Sequence, residues 1–100
     1  MVKELKNIKV ENCNSVTSYG RQVENQFIIT ITTKKGTKRI FQSYNSVIAV
    51  KDENGNITLN KSKWDCSPTT SKYRNQFLGE TTAETRKKIK DGTYKLKDLN

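Results

Sequence analysis

The chain is short, strongly basic and lacks histidine: its 100 residues include 19 Lys or Arg and 10 Asp or Glu, the formal net charge is +9, and 32% of the residues are apolar. Because histidine is absent, Ser-His-Asp and Cys-His catalytic arrangements are excluded, and the small core leaves little room for an internal active site. We therefore expect a non-enzymatic protein whose charge favours a polyanionic partner, such as nucleic acid, an acidic protein surface or anionic lipid.

The first sixty residues are predicted to be β-rich. Residues 6–13 alternate apolar and polar side chains, which is typical of a half-buried strand. Residues 27–33 carry apolar or β-branched side chains on both faces, which predicts a central strand covered on both sides.

Two hairpins are predicted in the same part of the chain. Lys34 to Thr37 form a short turn in which Gly36 supplies positive φ, and a strand returns over residues 38–44. Residues 47–50 and 57–59 flank a turn that contains Asn54-Gly55, which is the strongest short-range hairpin signal.

The remaining residues predict two helices over 67–92. Ser67 and Pro68 are typical of a helix start, and Gly79 ends the first helix after Leu78. Thr81 and Glu84 form a capping box for the second helix, which ends near Gly92. We thus predict an α+β fold, a small antiparallel sheet of hairpins followed by two short C-terminal helices, in a single domain of residues 1–100.

Two basic clusters are the candidate contact sites for a phosphate or an acidic partner. The denser one lies on the second helix and consists of Arg86, Lys87, Lys88 and Lys90, with Lys72 and Arg74 of the first helix as an extension. The other lies at the first hairpin tip and consists of Lys34, Lys35, Lys38 and Arg39. For each cluster the alternative is a solvated surface that binds nothing, and this alternative weighs more at the hairpin tip, where exposed charge costs least.

Aromatic side chains could stack on nucleic-acid bases. The candidates are Tyr19, Tyr44, Trp64, Tyr73 and Tyr94. Because the core is small, most of them are needed for packing, and Trp64 is expected to anchor the sheet to the helices.

The hydropathy of the chain indicates its cellular compartment, and the spacing of the cysteines indicates whether it binds a metal or another cofactor. No stretch approaches about 18 apolar residues, and residues 1–6 lack the apolar core of a signal peptide, so we expect a cytoplasmic protein with no membrane partner. Cys13 and Cys66 form no Cys-x-x-Cys pair, and no cofactor is predicted. A zinc site completed by Asp65 is the alternative.

Three short segments carry a recognisable pattern. They are residues 43–49, 55–59 and 64–73, and the last contains Trp-Asp-x-Ser-x-Thr-Thr. On these segments the chain, from about residue 41 to residue 99, resembles a family of small uncharacterised proteins carried by phages and mobile elements of Gram-positive bacteria. Family members more often have Tyr in place of Cys66, so the resemblance lends no support to a metal role for that residue.

The resemblance implies that the protein acts in the context of a phage or mobile element. It assigns no catalytic residues to the chain. Small proteins of mobile elements are often accessory binders, including inhibitors of host defence such as anti-CRISPR proteins. We expect an inhibitor of a host nucleic-acid-targeting complex, with a type II CRISPR effector in the bacterial cytoplasm as the candidate partner. Because a charge of +9 excludes DNA mimicry, a basic surface would make the contact. The alternatives are a basic DNA- or RNA-binding accessory protein and a phage structural or assembly protein.

Overall fold

A computed structural model describes residues 5–14 and 21–99, which form one mixed sheet and two helices. The strands are β1 (Leu5–Asn14), β2 (Gln22–Thr33), β3 (Gly36–Ser43), β4 (Ser46–Lys51), β5 (Ile57–Asn60) and β6 (Lys95–Lys97). The helices are α1 (Pro68–Leu78) and α2 (Thr82–Lys90). The α+β class is confirmed, but the sheet is larger than predicted. Among the described residues, no helix is both long and apolar enough to span a membrane.

The strand order in the sheet follows the chain order from β1 to β6. Strands β1 to β5 pair antiparallel, as successive hairpins do, whereas β6 pairs parallel to β5. A parallel pair needs a long crossover connection, which α1 and α2 supply here. Strand β6 was not among the predicted elements, and because of it the helices connect two strands of the sheet instead of following the last one.

The prediction that residues 27–33 form the central strand is wrong. They belong to β2, which is second from the edge, while β3 and β4 occupy the middle. Ile28 packs against the core, whereas Ile29 and Ile31 point to the other face of the sheet and are half-buried. High β-propensity shows that a segment suits a sheet, but the hairpin connections determine its position in the strand order.

Both helices begin as predicted. The Ser67 hydroxyl accepts a hydrogen bond from the Thr70 amide at 3.1 Å, and Gly79 ends α1 in the left-handed region with φ of 69°. In α2, the Thr81 hydroxyl accepts from the Glu84 amide at 3.2 Å, and the Glu84 carboxylate accepts from the Thr81 amide at 3.0 Å. These reciprocal bonds form the predicted capping box.

The core lies between one face of the sheet and the helices. Its buried apolar residues are Cys13, Phe41, Ile48, Ala49, Leu59, Tyr73 and Tyr94. The rings of Phe41 and Phe77 stack with centroids 6.0 Å apart, which places α1 over β3. Trp64 is partly buried and packs against this core, in agreement with its predicted anchoring role.

Candidate functional site

One side of α2 consists mainly of exposed cations. Arg86, Lys87 and Lys90 are all exposed. Because an α-helix has about 3.6 residues per turn, these side chains fall within about a third of the helix circumference. On the inward side, Thr85 is fully buried and Ile89 packs against the core. We call Arg86, Lys87 and Lys90 the α2 basic face.

Lys87 and Lys90 form no salt bridge in the part of the chain that the structure describes. Among the described carboxylates, none has an oxygen within 4.0 Å of either ammonium group, whereas Arg86 is paired with Asp65. Lys87 lies near enough to Asp91 to contribute to the lowered pKa of that carboxyl, after the hydrogen bonds from Thr93. Both lysines lie in the last turn of α2, where the helix dipole favours positive charge. Their positive charges are therefore available to an external anion.

Lys88 points away from this face toward a nearly buried carboxylate. Its ammonium group lies 2.7 Å from Glu80 Oε1, and the Glu80 side chain is 5% exposed. Tyr94 also donates to Glu80 Oε1 at 2.7 Å, and the Thr85 hydroxyl donates to Oε2 at 2.5 Å. Burial raises the pKa of Glu80, but these hydrogen bonds outweigh burial and bring the pKa below its ordinary value. Lys88 therefore neutralises an internal charge and does not join the α2 basic face.

The prediction that Arg74 extends the exposed patch is wrong, because its side chain is completely buried. One guanidinium nitrogen lies 3.3 Å from Asp65 Oδ1 and also donates to the Trp64 carbonyl. The other donates to Asn75 Oδ1 at 2.9 Å and to Thr82 Oγ1 at 2.7 Å. Arg74 thus joins α1 to the start of α2 and to the loop before α1. Lys72, the other predicted residue of α1, is exposed.

Asp65 and Trp64 hold both arginines of the helical region. Asp65 Oδ2 lies 3.3 Å from Arg86, whose side chain is still 63% exposed. The Trp64 ring centroid is 5.0 Å from the Arg74 guanidinium carbon and 6.0 Å from that of Arg86, which are cation–π distances. The hydrogen bond from Ser71 lowers the pKa of Asp65; burial opposes this effect, and Arg74 and Arg86 add to it. Arg86 is therefore oriented by its neighbours while its charge still reaches solvent.

The basic cluster predicted at the first hairpin tip does not form a single patch. Lys34 and Lys35 are exposed at the turn between β2 and β3. Lys38 and Arg39 are neighbours in β3, so their side chains point to opposite faces of the sheet. The Arg39 guanidinium carbon lies 5.6 Å from the centroid of the Phe77 ring, on the helix side.

Two exposed lysines of β6 were absent from the sequence-based candidates. Lys95 and Lys97 pair in register with Thr58 and Asn60 of β5, and both are exposed. The alternation Lys-Leu-Lys after α2 was the signal that could have identified them. Charged side chains on an edge strand also oppose unwanted pairing with another sheet.

The aromatic candidates for base stacking are mostly used in packing. Tyr73 and Tyr94 are buried, at 6% and 7% exposure. Trp64 is partly buried and lies beside Arg74 and Arg86. Tyr44 is 58% exposed, and Tyr19 lies outside the described residues. Among the described candidates for base stacking, Tyr44 is therefore the one whose ring is well exposed.

The cysteines lie in different surroundings. Cys13 is buried and lines a cavity of about 200 Å³ with Glu11, Arg39 and Gln76. Burial raises the pKa of the Cys13 thiol to about 11, and the positive charge of Arg39 only partly opposes this. Cys66 is exposed and lines another cavity. In residues 5–14 and 21–99, no three Cys, Asp or Glu side chains come together as a metal site.

Two of the segments that carry the resemblance meet at the start of α1. They line a cavity of about 250 Å³ through Ser43, Tyr44, Ser46, Ile48, Cys66, Ser67 and Thr70, together with Lys63. The hydroxyl oxygens of Ser43 and Thr70 lie 3.0 Å apart, and Lys63 donates to Ser46 at 2.9 Å. The two segments are therefore joined by a direct hydrogen bond between Ser43 and Thr70.

Comparison with known proteins identifies the family. A family model described as Family of unknown function (DUF8033) matches residues 3–92. The chain belongs to this family. No curated protein and no solved structure matches the chain. The region shared with DUF8033 includes the α2 basic face and ends before Lys95 and Lys97 of β6.

Proposed function

We propose that this DUF8033 protein is a non-enzymatic binding protein whose α2 basic face contacts the phosphate groups of a nucleic acid, either free or within a nucleoprotein. One observation carries the proposal. Lys87 and Lys90 lie side by side on α2, both are exposed, and no described carboxylate is within 4.0 Å of either ammonium group. The neighbouring positive charges of Arg74 and Lys88 are paired with Asp65 and Glu80, so on α2 the exposed positive charge comes from this face.

The geometry favours contacts with the phosphate backbone over base recognition. Lysine ammonium groups act as point charges toward phosphates, and sequence-specific readout requires side chains that reach base edges. Arg86 is the arginine of this face, and its guanidinium is already oriented by Asp65 and Trp64. We therefore expect binding with little dependence on base sequence.

The biological role that we propose is inhibition of a host nucleic-acid-targeting complex, such as a type II CRISPR effector. It is supported by the resemblance described above and by the positive charge, which is incompatible with DNA mimicry. In this role the α2 basic face contacts an acidic lobe of the effector or its bound nucleic acid. The alternative is a DNA- or RNA-binding accessory protein that uses the same face without an effector.

Fluorescence anisotropy with a labelled duplex and a labelled single strand tests the binding proposal. We expect the affinity to fall steeply between about 50 and 200 mM salt, because each neutralised phosphate releases counterions. The double variant Lys87→Gln/Lys90→Gln should bind at least about tenfold more weakly than the wild type, a loss equivalent to about 1.4 kcal/mol.

Lys34→Gln/Lys35→Gln is the matched control, because it removes the same charge at the hairpin tip. Thermal unfolding of both variants shows whether each one remains folded. Binding by Lys87→Gln/Lys90→Gln at wild-type affinity, or an equal loss in the two double variants, would contradict a specific role for the α2 basic face.

A pull-down and a DNA cleavage assay with type II effectors test the inhibitory role separately. Inhibition with co-purification is the expected result. Normal cleavage without co-purification would exclude this role, while salt-dependent nucleic-acid binding would still support the accessory-protein alternative.

A further inference from the structure

The face of the sheet opposite the helices carries a continuous row of apolar side chains. In register, Val10 of β1 pairs with Ile29 of β2, Ile29 with Ile40 of β3, and Ile40 with Val50 of β4. Side chains in register lie on the same face, so these four residues form a line across four strands. With the apolar residues beside them they form what we call the open face: Ile8, Val10, Phe27, Ile29, Ile31, Ile40 and Val50.

The open face is separate from the hydrophobic core. None of its seven residues belongs to the buried core or to the partly buried residues packed against it. Ile8 is 53% and Val10 is 60% exposed, while the others are half-buried by their neighbours in the sheet. Among the described residues, the helices pack on the other face through Phe77, Leu78 and Ile89.

Over residues 8–11 of β1, the apolar side chains lie on the open face and the charged side chains lie on the helix side. Ile8 and Val10 point to the open face, whereas Lys9 and Glu11 point to the helix side and form an ion pair at 3.6 Å. A strand with one face exposed to solvent usually has its polar side chains on that face and its apolar side chains on the core face. In β2 the same preference recurs, because Ile29 and Ile31 face outward and Thr30 faces the helix side.

The centre of the open face is uncharged, although the whole molecule is strongly basic. By register, no carboxylate in the paired positions of β1 to β5 points to this face, while Glu24, beside the core-packed Val23, lies in β2 outside these pairs. The cations of this face include Lys38, which pairs with Ile31, and Lys95. An apolar centre with a polar margin is typical of a protein interface and provides no array of cations for phosphates. Because the row Val10-Ile29-Ile40-Val50 carries no charge, two copies of this basic chain can meet along it without like charges at the centre of the contact.

We propose that the open face binds a second copy of this chain, giving a two-fold dimer in which two sheets pack face to face. The row Val10-Ile29-Ile40-Val50 reads the same in both directions by side-chain type. A two-fold axis parallel to the strands, between β2 and β3, places Ile29 against Ile40 of the second copy and Val10 against Val50. Such an isologous contact requires a self-complementary patch, which this palindromic row provides.

The size of the patch sets the expected strength of the dimer. Four strands about 4.8 Å apart and about six residues long, at about 3.4 Å per residue, cover roughly 400 Å² in projection. This area is below the range of specific interfaces, which bury about 600 to 1,000 Å² per partner. We therefore expect a weak dimer that is populated at micromolar to submillimolar concentrations.

Sedimentation of the full chain over a concentration series, with Val10→Lys as the variant, tests the dimer. Val10 is well exposed in the single chain, so the variant should fold, while in the dimer it buries an ammonium group. We expect its dimer dissociation constant to rise at least about tenfold. Thr37→Lys is the matched control, because it adds the same charge at an exposed position of β3 that points to the helix side.

Methyl NMR supplies a second measurement. On dilution, the signals of Ile29, Ile40 and Val50 should shift, while those of Leu59 and Ile89 in the core should not. A wild-type protein that stays monomeric up to about 1 mM with no methyl shifts would overturn the proposal. It would equally be overturned if the chain stayed monomeric and Val10→Lys weakened nucleic-acid binding while Thr37→Lys did not, because the occupant would then be nucleic acid. Val10→Lys leaves the α2 basic face intact, so the two proposals fail independently.

Discussion

Asp65 pairs with both arginines of the helical region, of which Arg74 is buried and Arg86 is exposed. Its carboxylate accepts hydrogen bonds from Ser71 at 2.6 Å and from Arg74 and Arg86 at 3.3 Å each. Because Arg74 is fully buried, its charge needs this anion, whereas Arg86 uses it only for orientation. A residue considered at first as an alternative metal ligand thus acts as the counter-charge of the helical region.

Replacing Asp65 with Asn should destabilise the protein by about 2 kcal/mol. Removal of one partner of a fully buried ion pair costs about 3 to 5 kcal/mol, and the cost here is smaller because Asp65 is 35% exposed and Arg74 keeps other acceptors. Urea unfolding measures the change. Glu53→Gln at an exposed turn is the matched control and should change stability by less than about 0.5 kcal/mol. Equal stability of the two variants would show that Arg74 does not depend on Asp65.

The two thiols should differ in reactivity. Cys66 is exposed, whereas Cys13 is buried and its pKa is raised to about 11. Since the thiolate is the nucleophile, a pKa raised by about two units lowers alkylation of Cys13 about a hundredfold, before burial limits access further. Mass spectrometry after iodoacetamide treatment at pH 8 should find one label in the folded protein and two in urea. Rapid labelling of native Cys66→Ser would contradict the buried environment of Cys13.

At the scale of elements, α2 depends on its capping more than on its core contacts. Its inward side includes Thr85 and Ile89, while Arg86, Lys87 and Lys90 are exposed. A short helix with so small an apolar side gains little from burial. The capping box and the cations in the last turn therefore contribute a large part of its stability.

Thr81→Ala should lower the free energy of unfolding by about 1 kcal/mol. The change removes the hydroxyl that accepts from the Glu84 amide and breaks the reciprocal capping box. Thr69→Ala, an exposed position inside α1, makes the same chemical change without loss of a cap and should not destabilise the protein. Chemical denaturation compares the two, and hydrogen exchange over residues 82–90 shows whether the loss is confined to α2.

At the scale of the whole molecule, stability should fall in acid. The pKa values of Asp65 and Glu80 are both below their ordinary values: hydrogen bonding from Ser71 lowers that of Asp65, while for Glu80 hydrogen bonds overcome the opposing effect of burial. Carboxylates with a lowered folded-state pKa stabilise the fold above their unfolded-state pKa, and this contribution is lost as pH falls through the folded-state pKa. The urea midpoint should therefore decrease progressively below about pH 5. The decrease should be shallower in Glu80→Gln, and a constant midpoint between pH 6 and pH 3 would contradict the linkage.

The distribution of charge and apolar area also belongs to the whole molecule. The α2 basic face lies in the helical layer, and the open face lies on the other side of the sheet. In the proposed dimer, the two α2 basic faces therefore remain on the outside. Nucleic-acid binding and dimer formation would then not compete for the same surface.

Local signals in the sequence predicted the elements well. Asn54-Gly55, the Ser67-Pro68 helix start and the pair Thr81 and Glu84 each specify backbone geometry through neighbours within a few residues, and all three structures are present. Strand β6 was missed because its three residues form a strand only by pairing with β5, far earlier in the chain. The position of β2 was missed for a related reason, since strand order depends on pairings that propensity does not encode.

The candidate site was predicted only in part. The density of cations in α2 was visible in the sequence, but their roles were not, because Arg74 and Lys88 acquire their partners through the approach of Asp65 and Glu80 in space. The four cations at the first hairpin were expected to act together, yet the pleat of β3 directs Lys38 and Arg39 to opposite faces.

By itself, the sequence determined the net charge, the exclusion of histidine-based catalysis, the turns and the helix caps, because these follow from composition or from contacts between near neighbours. Only the tertiary structure decided which cations face outward, which carboxylates neutralise the others, and that one face of the sheet is apolar and uncovered by the helices. These properties depend on distances between residues remote in the chain. Hydropathy patterns show that a strand has an apolar face, but only the packed fold shows what covers it.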